Sequence, residues 1–335
     1  MLKKKMGFQG EYIGKVLVSL SLVLMFGFGF LLPVKNVSAA KPPPSAQSYY
    51  MDTVDTVTLY DMGYQKGLAD YKKAGIQNSM VILDFGGQSS PTSLSLFGMP
   101  DATLTQVGAA VEAYSRGYWK GTASDSLSTV HIIVGTNNSY TVTYEGGQNF
   151  ANMIDDINSH NNTNSYSDQV EVDGGNDMEP SYDPVSTTTE WVKGYDSVNS
   201  YSLYNYGSAD GCYHTNGNSG TINYSCNNGW TYKDIQYISW GASPAWPLPE
   251  IYDNSGDMAE QWQNIAKYSA VTAAKPMQFS ASLTQYSACT NTGCHSELDN
   301  TPSQGWNQLY NELYSDSKTK AATNYPILST DIRWH

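Results

Sequence analysis

Asp177 and Glu179 stand two residues apart at the end of the run Val170-Glu171-Val172-Asp173-Gly174-Gly175-Asn176-Asp177-Met178-Glu179, which Pro180 closes. The run opens as a short strand, and side chains at i and i+2 of a strand share one face, roughly 6–7 Å apart. Two carboxyls held that close do not ionise independently: one keeps its proton to higher pH while the other stays charged. A protonated acid beside an anion is the pair that acetal cleavage requires. The same residues also read as a solvated acidic loop, or as a calcium site with Asp173 and Asp183, although the spacing is not that of an EF-hand loop. No metal or other cofactor is expected.

Other chemistries find less in the chain. Gly207-Ser208-Ala209-Asp210-Gly211 has alanine where a nucleophile elbow needs serine. No His-Glu-x-x-His occurs, and His131, His160, His214, His295 and His335 are scattered. His131 falls in an apolar strand and reads as a hydrogen-bonded core residue. The four cysteines, Cys212, Cys226, Cys289 and Cys294, form an even set that reads as disulfides. Local pairing, Cys212 with Cys226 and Cys289 with Cys294, is preferred among the three connectivities. Their spacing matches no zinc pattern, and oxidised cysteines cannot serve as nucleophiles.

Positioning the two acids requires a scaffold. Apolar strands are expected at Val57–Tyr60, Ser79–Phe85, Thr129–Val134, from Val170, at Ser202–Gly207, Ile235–Trp240, Met277–Ser282 and Leu328–Ile332. Helical spacing falls between them, at Leu104–Trp119, Gln148–Ile157, Thr187–Tyr195, Met258–Tyr268 and Gln304–Tyr314. Continuous apolar strands alternating with helices mean a parallel sheet covered on both faces. Seven or eight such units around one core predict an α/β fold, a (β/α)-barrel in a single domain over residues 56–335, with an open doubly wound sheet as the alternative. In a barrel, chemistry gathers where strands end. Those ends supply Asp61, Asp84, Gln88, Asn137, Tyr206, Trp240, Gln285 and Asp331 as further candidates. Asp84 and Asp331 are taken as additional catalytic acids, and the other six as substrate-binding residues.

The first forty residues read as an export signal: Lys3-Lys4-Lys5, an apolar run from Val16 to Leu32, and Val37-Ser38-Ala39-Ala40 as the cleavage site. An uncleaved membrane anchor is the alternative. Lys41 to residue 55, with Pro42-Pro43-Pro44, reads as a spacer. Loss of residues 1–40 removes five lysines and one glutamate and moves the formal charge from −13 to −17. So acidic a chain is repelled by nucleic acid and by anionic membrane surfaces. The 26 tyrosines and 8 tryptophans supply flat apolar faces with polar edges, which suit stacking on sugar rings. The expected product is a secreted monomer with a glycan ligand.

An Asp at the end of an early strand, Asp177-Met178-Glu179 after a central strand and Asp331 on the last strand together resemble the lysozymes of glycoside hydrolase family 25 and related glycosidase-like barrels. Carried over by position, Asp61 or Asp84 would be the first-strand acid. The resemblance implies Glu179 as proton donor to the glycosidic oxygen and Asp177 as the group that orients or stabilises an intermediate. The stretch from Asp173 is also similar to the Asp-Gly-x-Asp-x-Asp-x-Glu run of family 18 chitinases, but it is one residue short and Gly175 stands where an acid is needed. Ser239–Pro244 and Asn300–Trp306 resemble segments of secreted proteins of Gram-positive bacteria. A non-catalytic carbohydrate-binding barrel and a calcium-stabilised surface protein are the rival functions.

Overall fold

Inward and outward positions alternate along every strand of the sheet, and that alternation sets where the site lies. The computed structural model describes residues 40–140, 142–198, 201–214, 224–294 and 296–335. The expected export signal, through residue 39, and His295 lie outside the described residues. Residues 41–335 form one compact unit.

Eight parallel strands make the wall: β1 (Ala46–Tyr50), β2 (Gln77–Ser90), β3 (Ser128–Asn137), β4 (Val170–Asp177), β5 (Leu203–Asn205), β6 (Ala245–Pro247), β7 (Ala281–Thr284) and β8 (Leu328–Trp334). They pair in the order β6-β5-β4-β3-β2-β1-β8-β7. Closure comes from the chain just after β6: Leu283 N donates to Pro249 O, and Ile251 N to Leu283 O, each at 2.9 Å. Glu250 and Leu283 form a parallel bridge there. The result is a nearly closed eight-stranded barrel, as the alternation of strands and helices predicts.

The helices are α1 (Thr56–Tyr71), α2 (Leu104–Gly121), α3 (Tyr144–Thr163), α4 (Val185–Asp196), α5 (Tyr232–Gln236), α6 (Asp257–Val271), α7 (Tyr286–Thr292) and α8 (Pro302–Ser315). Val81, Leu83, Phe85, Ile132, Val134 and Val172 point outward into the main core with Leu59, Val111, Phe150 and Trp191. Met80, Ile82, Ile133, Tyr204, Tyr206, Leu248, Leu283 and Ile332 fill the barrel itself. Period-2 side-chain direction separates the two cores.

Two expected strands are helical. Val57–Tyr60 is the first turn of α1: Asp55 Oδ2 caps Thr58 N at 2.8 Å, and Leu59, Gly63, Gly67 and Asp70 are buried at helical spacing. The first strand is instead Ala46–Tyr50, inside the segment expected to be a spacer. Ile235–Trp240 lies in α5 and the π-helical turn that follows it. Asp234 Oδ2 accepts from both Thr231 N (2.9 Å) and Thr231 Oγ1 (2.6 Å), and Ile235 and Ile238 are buried three apart. The true strand of that unit is β6, masked in the sequence by Pro244, Pro247 and Pro249. Both disulfides have the expected local pairing, Cys212–Cys226 and Cys289–Cys294.

Candidate functional site

Continuing each inward alternation past the packed interior leads to the carboxyl-terminal mouth of the barrel. From 80 and 82 it reaches Asp84, and from 173 and 175 it reaches Asp177. From 246 and 248 it reaches Glu250 and Tyr252. Strands β1, β3, β7 and β8 bring up Tyr50, Asn137, Gln285 and Trp334 in the same way. With Glu179 and Tyr182 these residues, the fully buried Asp84 excepted, line a cleft of about 390 Å³. A short antiparallel excursion, Ser93–Ser95 with Ala102–Thr103, is tied to the end of β2 and brings Phe97 over the opening. Gly86 makes this possible: its φ of +81° and the 2.3 Å that would separate a Cβ from Ser95 O both require glycine. Phe97 meets Trp334 (5.3 Å) and Tyr50 (5.2 Å) edge-on, forming an aromatic wall.

In the same cleft, Asp177, Glu179 and Glu250 have carboxylate oxygens within 4.8 Å of one another. Among the described residues they are the only acidic, His or Cys side chains grouped closely enough to share a metal ion. Asp177 is 8% exposed and Glu250 5%, while Glu179 is more open to the cleft. Burial pushes the Asp177 carboxyl well above the ordinary range, and the charges of Glu250, Glu179 and Asp84 push it further. Glu250 is raised in the same way by burial and by Glu179, with a hydrogen bond from Tyr252 in opposition. Glu179 is raised mainly by burial, and it hydrogen-bonds Glu250. Two carboxyls this close do not titrate independently, and one of them keeps its proton to higher pH than the other. Asp177 Oδ1 has no hydrogen-bond partner.

Asparagines fix the backbone that carries these acids. Asn138 Oδ1 accepts Glu179 N at 3.0 Å, and its Nδ2 donates to Thr188 Oγ1 (2.9 Å) and towards Glu179 O (3.3 Å). Asn205 Oδ1 accepts Gly207 N at 3.1 Å, with Met178 N at 3.4 Å. Gly175, where a family 18 run would place an acid, faces Tyr206: an added Cβ would lie 2.9 Å from its ring. A phenol fills that volume instead of a carboxylate.

The other sequence candidates divide between the cleft and the frame. Asn137 and Gln285 line the cleft. Asp84 lies fully buried, with Gly86 N donating to its Oδ1 at 2.9 Å; burial lifts its pKa to about 6. Tyr206 is buried in the barrel, where its hydroxyl donates to Thr136 O at 2.8 Å. Four candidates sit elsewhere. Asp61 lies on an exposed face of α1, because its segment is helix. Gln88 braces β2 against α3 and α4, donating to Gly146 O (3.1 Å) and accepting from Trp191 Nε1 (2.6 Å). Trp240 packs on Trp246 and donates to Lys275 O at 3.2 Å on the amino-terminal side of β6. Asp331 caps α7, accepting from Tyr286 N (2.9 Å), Ser287 N (3.0 Å) and Thr284 Oγ1 (2.7 Å).

Glu250 is absent from the sequence candidates because the sequence pattern puts the strand of that unit at 235–240. Its signal is Glu250-Ile251-Tyr252 directly after the proline-flanked run Ala245–Pro249, with acid and phenol two apart. Tyr50 and Trp334 are missed for a similar reason: the segment of β1 reads as spacer and the expected last strand ends at Ile332. A wider groove of about 520 Å³ runs outside the barrel between α2 and α3, but it gathers no comparable cluster. No protein-family model matches the chain, and no curated protein sequence matches it significantly.

Proposed function

We propose that the protein is a secreted glycoside hydrolase that cleaves a polysaccharide or cell-wall glycan by carboxylate acid/base catalysis. The observation that carries this reading is the group Asp177, Glu179 and Glu250, whose carboxylate oxygens lie within 4.8 Å of one another at the mouth of the barrel, in a cleft also lined by Tyr50, Phe97 and Trp334. Three close carboxyls, two buried and one half-buried, all displaced upward, offer both a proton to donate and a negative charge to stabilise an oxocarbenium ion. Glu179, the most open of the three, delivers the proton to the glycosidic oxygen. The C1–O bond breaks with its electron pair going to that oxygen, and the alcohol leaves. The cationic carbon is held by the remaining carboxylate charge. Water then attacks this carbon and returns a proton to Glu179. A carboxyl spacing under 4.8 Å is far from the roughly 6.5–9.5 Å that a single-displacement, inverting pathway needs to admit water, which favours retention.

Asp177-Met178-Glu179 after the fourth strand supports grouping the chain with family 25-like barrels. The acid facing the pair is then Glu250 rather than Asp61 or Asp331. The two disulfides fit an oxidising environment, which supports export. The protein is taken to act as a monomer on a glycan, without nucleic acid or membrane as a partner. Among the described residues no helix is long and apolar enough to cross a membrane.

The test is reducing-end release from a panel of glycans, including peptidoglycan and chitin, comparing wild type with Glu179→Gln. The variant is expected to lose at least ~100-fold in rate, the usual worth of a positioned acid, with its circular dichroism unchanged. Equal rates in the two proteins would refute the assignment. Retention on a glycan without release by wild type would point to the non-catalytic binding barrel.

A further inference from the structure

We propose that the glycan taken by this cleft carries free ammonium groups, as in a de-N-acetylated amino-sugar polymer, and that Asp210 together with Asp177 recognises them. The inference deepens the glycosidase reading and rests on it for the cleavage step only. The cleft is lined by four carboxylates, Asp177, Glu179, Asp210 and Glu250, and among its described lining residues there is no Lys, Arg or His. Acetal cleavage needs two carboxyls, so two exceed what the bond-breaking step requires.

Asp210 is held in place by its loop. Its Oδ2 accepts from Asn227 Nδ2 at 2.6 Å, its carbonyl accepts Asn227 N at 3.2 Å, and the Cys212–Cys226 disulfide staples the two strands of that loop beside it. Its charge is felt at Glu179. Asp177 supplies the second observation: a cleft-lining side chain more than nine-tenths buried, with an oxygen, Oδ1, that no hydrogen-bond donor reaches. Burying carboxylates beneath a neutral ligand leaves their charge uncompensated, and an anionic ligand adds repulsion. An ammonium group in the cleft offsets the charge of Asp177 and its neighbours, and the aromatic rings of Tyr50, Phe97, Tyr182, Tyr252 and Trp334 line the same cleft as sites for cation–π attraction. Burial and neighbouring negative charge displace all three core carboxyls upward, and a nearby ammonium group opposes both effects. The chain's net charge of −13 draws a polycation towards it at low salt.

The experiment compares glucosamine oligomers with the same oligomers fully N-acetylated or N-succinylated, using the full chain after dialysis against chelator. Affinity is read from tryptophan fluorescence, and cleavage from reducing ends. The free-amine form is expected to bind at least about tenfold more tightly than the acetylated form, the equivalent of one charge-assisted contact. That preference should shrink in 0.5 M salt, and the succinylated form should bind weakest. Asp210→Asn is expected to remove most of the preference while leaving affinity for the acetylated oligomer within about twofold, a split that general loosening of the loop would not produce. Equal or tighter binding of the acetylated form, or a preference untouched by Asp210→Asn, overturns the inference whether or not cleavage occurs. A clear amine preference without cleavage of any glycan upholds ammonium recognition and overturns the glycosidase reading.

Discussion

Asp84 carries the clearest thermodynamic consequence of packing acids at a barrel mouth. It is fully buried, and its pKa rises from 3.8 to about 6, so it binds its proton more tightly folded than unfolded. The native state holds that advantage below the ordinary carboxylate range and loses it as the pH rises through about 6. At pH 8 the shift corresponds to about 3 kcal/mol of stability forgone. Asp84→Asn keeps an oxygen for Gly86 N and removes the ionisation, so the variant is expected to be more stable than wild type at pH 8 by up to about 3 kcal/mol and nearly equal to it at pH 3.5. Denaturant midpoints at the two pH values read this directly, and a pH-independent difference would reject it. Asp70 acts in the opposite sense. Burial opposes its ionisation, but hydrogen bonds from Lys66 and Ser79 outweigh that and hold it below the usual range, so its support fades only in acid. Asp177 and Glu179 were legible in the chain because they sit two apart at the end of an apolar run. Glu250 was not, since it follows β6, about 70 residues further along the chain and two strands round the barrel from β4, and prolines hid that strand.

At the scale of elements, glycine sets how closely the helices approach. Gly63 and Gly67 on α1 face Gly117 and Gly121 on α2 so tightly that a Cβ on Gly117 would lie 2.1 Å from Tyr60 O, and one on Gly63 2.1 Å from Tyr114 O. Helices α3 and α4 repeat the device: a Cβ on Gly147 would lie 2.0 Å from Trp191 O. Gly117→Ala is expected to cost about 1–3 kcal/mol through overpacking, despite the roughly 1 kcal/mol that alanine gains over glycine inside a helix. Gly108→Ala, in the same helix with its nearest new contact at 3.5 Å, should be neutral or slightly stabilising. Urea midpoints for the two variants test the contrast, and equal midpoints would contradict it. Long elements with strong periodicity, such as α2, α3, α8 and β2, could be read from the sequence because local spacing and burial agree. Val57–Tyr60 and Ile235–Trp240 could not. Both are short runs rich in β-branched or aromatic residues, and the capping acids Asp55 and Asp234 decided for helix.

For the whole molecule, the barrel class followed from the alternation alone, whereas its seam did not. Strand β8 lies between β7 and β1, so Ala46 pairs with Thr330 and Gln47 with Asp331. Ser48 Oγ and Thr330 Oγ1 are 2.7 Å apart across that seam. On a ribosome, the first strand therefore emerges with no lasting neighbour on one side, and it waits through about 280 further residues for its partner. The two open edges can pair with other chains throughout that interval. Refolding from denaturant should accordingly be slow, on the order of seconds or longer for so non-local a topology. A chain stopped before residue 328 should collect as aggregate instead of folding. Stopped-flow fluorescence and the solubility of that truncated chain measure both. What the last strand decides is when the protein begins to exist as a fold at all.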